Sequence, residues 1–252
     1  MSLADAAVAV TGAGAGMGRA TARLFAERGA SVAAVDVDGE AAGETADLIA
    51  DDGGTAIAIE ADVSDPAAVE GFVEGTVDTF GGLDVLHNNA GIPQESTPVE
   101  DVEEATWDRV LDVNLKSAFL GAKSAVPHLR ESDHEGGGVI LNTASTAGIR
   151  PRTGLSAYAA SKGGMITLTK QLAFELADDG VRVNAICPVA TDTDMLPEFA
   201  GGDLTLEGIA ETIPLGRLCQ PEDVAEAAVF LAGDGASMIT GTALEVDGGR
   251  DI

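Results

Sequence analysis

The sequence predicts an α/β fold, a doubly wound parallel sheet of about seven strands with helices on both faces, in a single domain over residues 1–252. Short runs rich in Val and Ile alternate with longer helical patterns, which is typical of βαβ units. The chain is 45% hydrophobic, which is enough apolar material for one large core. No linker, repeat or low-complexity segment interrupts it.

The predicted strands are short apolar runs, and the predicted helices are the longer segments with a helical period. We place strands near residues 6–10, 31–35, 56–61, 85–88, 139–142, 182–186 and 243–246. The predicted helices include residues 19–28, 66–80, 105–130, 157–178 and 221–231. Seven such strands fit one sheet.

The charge of the chain excludes some partners. Against 14 basic residues stand 42 acidic ones, a formal net charge of −28, which repels nucleic acid and anionic lipid. The acids are spread along most of the chain, and this pattern suggests a protein that works at high salt, where screening weakens self-repulsion. Residues 113–130 and 136–174 hold no acidic residue. Either these segments form a subunit interface beside an active site, or chance and ordinary core burial account for them.

Other functional classes receive no support from the sequence. No apolar stretch is long enough to span a bilayer, and the N-terminal segment carries Asp5 without a basic region, so we expect neither a membrane span nor a signal peptide and place the protein in the cytoplasm. Cys187 and Cys219 are interpreted as buried packing thiols. The three histidines do not converge with acids at ligand spacing, and no metal is expected.

A glycine-rich segment follows the first predicted strand and opens the first helix. It reads Thr11-Gly12-Ala13-Gly14-Ala15-Gly16-Met17-Gly18. Glycine allows the sharp turn and lets a dinucleotide pyrophosphate approach the helix N-terminus where no Cβ intervenes. The strand-loop-helix context is the one that the Rossmann-type motif requires; a plain strand-to-helix turn is the alternative.

Asp36 ends the second predicted strand, where a carboxylate can accept hydrogen bonds from both hydroxyls of an adenosine ribose. The same charge repels a 2′-phosphate, so NAD is favoured over NADP. Arg19 is the one nearby base, and we assign it a solvated or helix-packing role. Asp62 and Val63, after the third strand, are placed to hold the adenine, with a strand-end or helix-cap role for Asp62 as the alternative.

The chain has one tyrosine, in Tyr158-Ala159-Ala160-Ser161-Lys162. On a helix this i, i+4 spacing puts phenol and ammonium on one face. A phenol with a pKa near 10 is a weak base at pH 7, and a nearby cation lowers that pKa by stabilising the phenolate. A structural tyrosine with an unrelated lysine is the alternative for the pair taken alone.

Taken together, the sequence resembles the short-chain dehydrogenase/reductase family over nearly its whole length. Besides the glycine loop and the Tyr158-x-x-x-Lys162 pair, the resemblance rests on Asn88-Asn89-Ala90-Gly91 after the fourth strand, on Asn114 in the long helix and on Ser145 before the tyrosine. The resemblance implies an NAD(P)-dependent oxidoreductase acting on CH–OH groups.

By that resemblance, Tyr158 exchanges the hydroxyl proton, Ser145 binds the substrate oxygen, and Lys162 lowers the tyrosine pKa and binds the nicotinamide ribose. Asn114 would hold a water that links Lys162 to solvent. The residues expected to bind the cofactor are Gly12, Gly16, Met17, Gly18, Asp36, Asp62, Val63, Asn88, Ala90, Gly91, Tyr158, Lys162, Pro188, Thr191 and Thr193. For Asn88, a purely structural hydrogen bond at the strand end is the alternative.

One position departs from the family pattern. After the sixth strand the family usually has Pro-Gly, whereas this chain has Pro188-Val189. Valine does not share the freedom of glycine at positive φ, so we expect the loop at the nicotinamide end to lie differently, with Thr193 still placed to bind the carboxamide.

The substrate is expected to be a secondary alcohol or ketone, under a lid over about residues 194–217 with apolar Leu196, Phe199, Leu204 and Ile209. Arg150 and Arg152 could recognise an anionic substrate tail, or be solvated or at an interface. A 3-oxoacyl-thioester reductase is an alternative, disfavoured for carrier-protein substrates by the acidic surface. A dehydratase or epimerase on the same fold and a non-catalytic dinucleotide sensor are further alternatives. The family commonly forms homotetramers through two long helices, and we expect the same here.

Overall fold

The computed structural model describes residues 3–134, 136–150, 152–199 and 205–251. Its centre is a seven-stranded sheet in the order β3-β2-β1-β4-β5-β6-β7, with every neighbouring pair parallel. The strands are β1 (Ala7–Thr11), β2 (Ser31–Asp36), β3 (Thr55–Glu60), β4 (Val85–Asn88), β5 (Val139–Thr143), β6 (Arg182–Pro188) and β7 (Ala243–Val246). The predicted fold class is confirmed, and each predicted strand lies within two residues of its observed bounds.

Helices cover both faces of this sheet. They are α1 (Gly16–Glu27), α2 (Gly39–Asp51), α3 (Pro66–Phe80), α4 (Glu104–Leu111), α5 (Ser117–Leu129), α6 (Ser156–Glu175), α7 (Leu196–Phe199), α8 (Leu206–Glu211) and α9 (Pro221–Ala232). A π-helical segment, Asp112–Lys116, joins α4 to α5. In the described residues, no helix combines the length and the apolar character needed to cross a bilayer.

The strand residues sort alternately into two cores, as the period of a strand requires. Val8 and Val10 of β1 pack with Phe25 of α1 and Val229 of α9 on one face. Ala9, between them, packs with Phe72 of α3 and residues of α5 on the other. Because both faces are buried, the central strands are apolar throughout rather than alternating.

The topology also determines where a ligand can bind. The chain order in the sheet reverses between β1 and β4, and in open α/β sheets the crevice at such a switch point, beyond the carboxyl ends of the strands, is the usual ligand site. The glycine loop, residues 89–91, Ser145 and Pro188 all follow or end strands at that edge.

Two helical features differ from the prediction. Helix α2 was not among the predicted helices, although it buries Ala42, Thr45 and Ile49 at helical spacing; Asp38 starts it by accepting hydrogen bonds from the N–H groups of Glu40 and Ala41. The helix predicted over 105–130 is helical from Glu104 to Leu129 without a break. Its winding changes in the middle, where the π-helical segment separates α4 from α5.

Candidate active site

One large cavity, of about 1460 Å³, opens along the carboxyl edge of the sheet. It runs from the glycine loop past Asp36 and Asp62 at one end to Ser145, Tyr158 and Lys162 near the other. Of the predicted cofactor residues, every one except Asn88 lines this cavity; Asn114 does not line it either. The fold thus brings residues from distant parts of the sequence into one cleft.

The glycine loop forms a cradle that side chains would fill. Gly12 has φ +66° and Gly16 has φ +50°, values that favour glycine. A Cβ on Gly18 would lie 1.9 Å from the Gly12 carbonyl oxygen, and one on Gly16 would lie 3.2 Å from Thr193 Cγ2. Helix α1 begins at Gly16 without a side-chain cap, so its first N–H groups are oriented to bind a phosphate group. These residues fit a dinucleotide pyrophosphate.

Asp36 lies beside this loop. Its Oδ2 accepts a hydrogen bond from the Gly14 N–H at 2.8 Å, and its Oδ1 accepts one from Asp38 N–H at 3.1 Å. Arg19 points elsewhere: its guanidinium binds Thr45 Oγ1 at 3.0 Å and Glu44 Oε2 at 3.0 Å on α2. Of the two roles predicted for Arg19, solvated or helix-packing, these contacts are those of helix packing, and its charge is paired with Glu44.

The adenine end of the cavity is lined by Asp62, Val63 and Ser64. Asp62 Oδ1 accepts hydrogen bonds from the N–H and the hydroxyl of Ser64, at 2.9 and 2.7 Å. These bonds hold the pKa of the Asp62 carboxyl below its usual value. Asp65, not Asp62, caps helix α3.

Asn88 does not line the cavity, and its contacts are those of the alternative role predicted for it, a structural hydrogen bond at the strand end. Its side chain is buried and donates to Asn142 Oδ1 at 2.9 Å, tying β4 to β5. Asn89, the next residue, lines the cavity instead and donates to the carbonyl of Thr11 at 3.0 Å. Ala90 and Gly91 line the same wall. Side chains alternate along a strand, so adjacent asparagines at its end point in different directions.

Tyr158 and Ser145 meet in the cavity wall. The Ser145 hydroxyl is hydrogen-bonded to the phenol, and it also accepts a bond from Ala147 N–H at 3.1 Å. Burial raises the pKa of Tyr158 to about 12, and the bond from Ser145 opposes this rise. The phenol is therefore protonated at neutral pH unless positive charge stabilises its anion.

Lys162 lies one turn further along α6. Its Nζ is 5.7 Å from the centroid of the Tyr158 ring and donates to the Thr143 carbonyl oxygen at 2.7 Å. Burial lowers the pKa of Lys162 to about 8, which leaves the amine charged at pH 7. The predicted convergence of these two side chains on one helix face is present.

Asn114 occupies the middle of the π-helical segment. Its side chain is fully buried and binds both main-chain groups of Ile92: Oδ1 accepts from the N–H at 2.7 Å and Nδ2 donates to the carbonyl at 2.9 Å. A Cβ on Gly91 would be 3.2 Å from Asn114 Oδ1 and 3.4 Å from Lys162 Nζ. Asn114 thus holds the loop that lies between itself and Lys162.

The segment after β6 accommodates the valine. Among the described residues Asp5 is the non-glycine residue with positive φ, so Val189 has an ordinary backbone; its N–H donates to Val246 at 3.2 Å. Thr191 Oγ1 binds the carbonyl of Val189 at 2.9 Å. Pro188, Thr191 and Thr193 line the cavity.

The predicted lid contributes apolar walls to the same cavity. Leu196, Phe199 and Ile209 line it, and the Phe199 ring meets the Tyr158 ring edge-on, with centroids 4.9 Å apart. Leu204 lies outside the described residues. The lid segment is thus in contact with the proposed catalytic tyrosine.

Three roles were not predicted. Gln94 is buried, and its Oε1 accepts from the Tyr158 N–H at 3.0 Å. The Thr143 carbonyl accepts a hydrogen bond from Lys162 Nζ, and the Thr143 hydroxyl donates one to Asn89 Oδ1 at 3.1 Å. Arg250 lines the cavity from the C-terminal segment. Thr143 and Arg250 lie at or just beyond the ends of β-strands. Because the site lies at this edge of the sheet, that position was the one sequence feature that could have indicated their roles.

Comparisons with known proteins find related dehydrogenases and reductases. A family model described as Enoyl-(Acyl carrier protein) reductase matches residues 12–251. The chain is 42% identical to the 4-formylbenzenesulfonate dehydrogenase of Comamonas testosteroni over 100% of both chains. It is 41% identical to the cyclohexanol dehydrogenase of Acinetobacter sp. strain SE19, covering 95% of this chain and 92% of that protein. The crystal structure of a 3-ketoacyl-(acyl-carrier-protein) reductase from Brucella melitensis complexed with NADH is 43% identical over 100% of both chains, with a TM-score of 0.93.

The parallel sheet, the glycine cradle and the tyrosine-lysine pair define a nucleotide-binding oxidoreductase of Rossmann type. The chain belongs to the short-chain dehydrogenase/reductase family. It is an enzyme of that family, acting on CH–OH groups.

Proposed function

We propose that this enzyme interconverts a secondary alcohol and its ketone with NAD as the hydride carrier, in a single catalytic domain over residues 1–252. One observation carries the proposal: Ser145, Tyr158 and Lys162 share a single cavity with a glycine cradle shaped for a dinucleotide. A non-catalytic sensor would need the cradle but not the three polar side chains.

In the direction of alcohol oxidation, the Tyr158 oxygen takes the hydroxyl proton while the substrate carbon loses hydride and the carbonyl forms. When bound, NAD⁺ supplies the nicotinamide carbon that accepts the hydride. Ser145 Oγ donates a hydrogen bond to the substrate oxygen as its charge changes. In reduction, the same phenol returns the proton. In each direction one proton passes through Tyr158 and one hydride passes to or from the nicotinamide, so protons and electrons balance.

Lys162 makes the phenol usable as a base. Because burial raises the pKa of Tyr158 to about 12, a cation is required to favour its ionised form. The Lys162 ammonium, 5.7 Å from the ring centroid, is positioned to provide it. Asn114 is proposed to support this arrangement through the Ile92 main chain and to hold the water that exchanges protons with Lys162.

The cradle residues Gly12, Gly16, Met17 and Gly18 would hold the pyrophosphate, Asp36 the adenosine ribose hydroxyls, and Asp62 with Val63 the adenine. Ala90 and Gly91 would lie along the cofactor, and Lys162 with Tyr158 would meet the nicotinamide ribose. Pro188, Thr191 and Thr193 would contact the carboxamide end. All of these residues line the cavity.

NAD is proposed over NADP because of charge. A 2′-phosphate would approach the carboxylate of Asp36, and repulsion between the two anions disfavours it. Arg19, the nearby cation, is already paired with Glu44, so its charge does not offset that repulsion.

The substrate class is supported by the relatives. One is named a cyclohexanol dehydrogenase, and cyclohexanol is a secondary alcohol. The apolar side chains of Leu196, Phe199 and Ile209 around the catalytic end suit a cyclic or aliphatic skeleton. The lid over residues 194–217 is proposed to cover this skeleton during turnover.

A 3-oxoacyl-thioester reductase is a second candidate, because one of the solved structures that this chain resembles is that of a 3-ketoacyl-(acyl-carrier-protein) reductase. Docking an acidic carrier protein calls for basic surface, whereas this subunit has a net charge of −28. We therefore rank it second.

We also propose a homotetramer assembled through the helices of residues 104–129 and 156–175. The outer faces of these helices expose Trp107, Phe119 and Phe174, the last with 85% of its surface accessible. They overlap the two segments without acidic residues, 113–130 and 136–174. Phe119 and Phe174 lie in these two segments, whereas Trp107 precedes the first, and exposed apolar side chains in acid-free segments favour contact with a second copy. A cytoplasmic location stays a prediction.

The test is an NADH absorbance assay at several salt concentrations. Cyclohexanol and a panel of secondary alcohols are offered with NAD⁺ or NADP⁺, and acetoacetyl-CoA is offered with NADH or NADPH. We expect alcohol oxidation with a preference for NAD⁺. Turnover of acetoacetyl-CoA alone would favour the second candidate, and NADH binding without turnover of any substrate would favour a sensor.

A further inference from the structure

Two arginines line the cavity near its catalytic end. Arg152 lies in the loop between Ser145 and Tyr158, and Arg250 lies in the C-terminal segment after β7; both belong to the cavity wall. Three acidic neighbours of these arginines, Glu245, Asp247 and Asp251, do not line it. On a protein with 14 basic residues among 252, two cations at the substrate end need a physical explanation.

The position of Arg250 follows from the packing of its segment. The Leu215 N–H donates to the Gly248 carbonyl at 3.2 Å, and a Cβ on Gly248 would be 2.6 Å from Ile213 Cγ2. The C-terminal segment therefore lies against the end of the lid. Arg152 reaches the same segment, since its Nη2 binds Asp251 at 3.1 Å. Arg250 thus lies between the lid and the loop that precedes Tyr158, far along the sequence from the cofactor cradle.

Most charges around the two arginines are already compensated. Arg150 pairs with Glu245 at 2.9 Å, and Arg152 pairs with Asp251. Asp247 accepts the backbone N–H groups of Gly249 and Asp251, at 2.9 and 2.8 Å. The three carboxylates lie within 4.8 Å of one another; two of them pair with arginines and the third accepts two backbone N–H groups, and we assign no metal to them.

The guanidinium of Arg250 is different. In the part of the chain that the structure describes, it makes no hydrogen bond and no ion pair, and Asp251 acts on it only at longer range. It is partly buried, and burial together with the charge of Arg152 lowers its pKa. A guanidinium nevertheless stays charged at neutral pH. A partly desolvated cation without a partner, inside a substrate cavity, is a strong site for an oxyanion.

We propose that Arg250, beside Arg152, binds the anionic group of the substrate, so that the enzyme prefers a secondary alcohol or ketone bearing a carboxylate or sulfonate. The proposal rests on the proposed function and adds the substrate's charge to it. The hydroxyl carbon would lie at Tyr158, the skeleton under Leu196 and Phe199, and the anion at Arg250. Arg152, whose charge is paired with Asp251, lies at the same wall.

The test measures binding rather than turnover. Cyclohexanecarboxylate and the neutral isostere cyclohexanecarboxamide are titrated by calorimetry into the enzyme alone and into its NADH complex. We expect the carboxylate to bind about 10-fold tighter than the amide, the effect of one charge-assisted hydrogen bond. Arg250→Gln should bring this ratio close to 1, and Arg250→Lys should retain part of it.

Arg23→Gln is the matched control, because Arg23 is exposed on α1 and paired with Asp52 at 2.8 Å, outside the cavity. It removes one positive charge and should leave the ratio unchanged. A thermal melt of each variant verifies folding; if Arg250→Gln does not fold, the ratios of the native enzyme and of Arg250→Lys still decide the question.

Equal affinities for the two compounds, absence of carboxylate binding, or an unchanged ratio in Arg250→Gln would overturn the proposal. If Arg250 instead pairs with a carboxylate of a second copy, the substitution weakens the oligomer and leaves the ratio unchanged, which also overturns it. Failure to bind NADH or to oxidise any alcohol contradicts the proposed function instead, and the titrations into the enzyme alone keep the two results separate.

Discussion

The Lys162 ammonium lies 5.7 Å from the centroid of the Tyr158 ring, and its own hydrogen bond goes to the Thr143 carbonyl at 2.7 Å rather than to the phenol. In the proposed mechanism Lys162 would therefore act on Tyr158 through its electric field and not through a hydrogen bond. Thr143 ends β5, so the cation is anchored to the sheet while Tyr158 is held at its backbone by Gln94. Both residues of the proposed proton-transfer pair are fixed by groups outside their own helix.

Removing the phenol oxygen should separate catalysis from binding. In Tyr158→Phe we expect NADH affinity to be kept and turnover to fall by about 10² or more, because only the proton-transfer group is lost. Stopped-flow turnover and NADH titration measure the two quantities. A parallel fall in both would show that Tyr158 serves binding and not proton transfer.

The charge of Asp36 should set the choice of cofactor. Asp36→Asn keeps an oxygen able to accept the Gly14 N–H, now bonded at 2.8 Å, but removes the negative charge. We expect the ratio of kcat/KM for NAD⁺ over NADP⁺ to fall by about 10-fold or more, on the scale of one lost charge interaction. Asp38→Asn is the control, because Asp38 lies beside Asp36 but caps helix α2. An unchanged ratio in Asp36→Asn would place the ribose contact elsewhere.

His87 should make the protein more sensitive to acid. Its ring is buried, its Nε2 lies 2.9 Å from Thr143 Oγ1, and its Nδ1 has no partner among the described residues. Since the Thr143 hydroxyl donates to Asn89, His87 must donate to it from Nε2. Burial lowers the pKa of His87 from 6.5 to about 3.

Between those two pKa values the unfolded chain binds a proton that the folded chain does not. The contribution to the unfolding free energy is therefore constant above pH 6.5 and is lost as pH falls towards 3, by up to about 1.4 kcal/mol per pH unit. In His87→Gln the slope of unfolding free energy against pH, from urea titrations, should be shallower by that amount. His128→Gln is the control, because His128 lies at a more exposed site and pairs with Glu74. Equal slopes in the native protein and in His87→Gln would refute the expectation.

Salt should stabilise the fold. With a net charge of −28, repulsion among carboxylates grows as the Debye length increases from about 3 Å at 1 M salt to more than 10 Å below 0.1 M. We expect the melting temperature and the activity to fall on dialysis from 2 M to about 0.05 M KCl. Full retention of both would show that the acidity has another cause.

The exposed aromatic residues should hold the subunits together. Phe119 and Phe174 lie on α5 and α6. Replacing both with glutamate introduces charges into the proposed subunit interface. Sedimentation velocity should show a tetramer for the native protein and smaller species for the double variant. Met238→Glu, at a residue 97% exposed outside these helices, should remain a tetramer. A native protein that sediments as a monomer at every salt concentration would exclude this assembly.

The sequence was sufficient for the sheet and for most of the cleft. Strand periodicity predicted all seven strands, and the Tyr158-Lys162 spacing predicted a shared helix face because an α-helix has a fixed pitch. Contacts between distant segments were beyond such patterns. The pairing of Asn88 with Asn142, and the position of Arg250 beside the lid, depend on strand register and on loop packing that no local pattern encodes.

The electrostatics of the site needed the three-dimensional structure for the same reason. Spacing suggested that Lys162 lowers the pKa of Tyr158, but burial dominates and raises it. For Asn114 the resemblance implied a water that links Lys162 to solvent; its two bonds to Ile92 and the wide turn around it were not predicted.

That wide turn decides what a one-residue deletion would do here. A π-helical turn holds about one residue more than an α-helical turn, so deleting one residue from 112–116 would restore regular winding and leave the residues before and after it on nearly the same faces. Asp108 and Arg109 would still line the cavity. The deletion would instead remove the wide turn around Asn114, and with it the two bonds to Ile92 that hold the cavity loop.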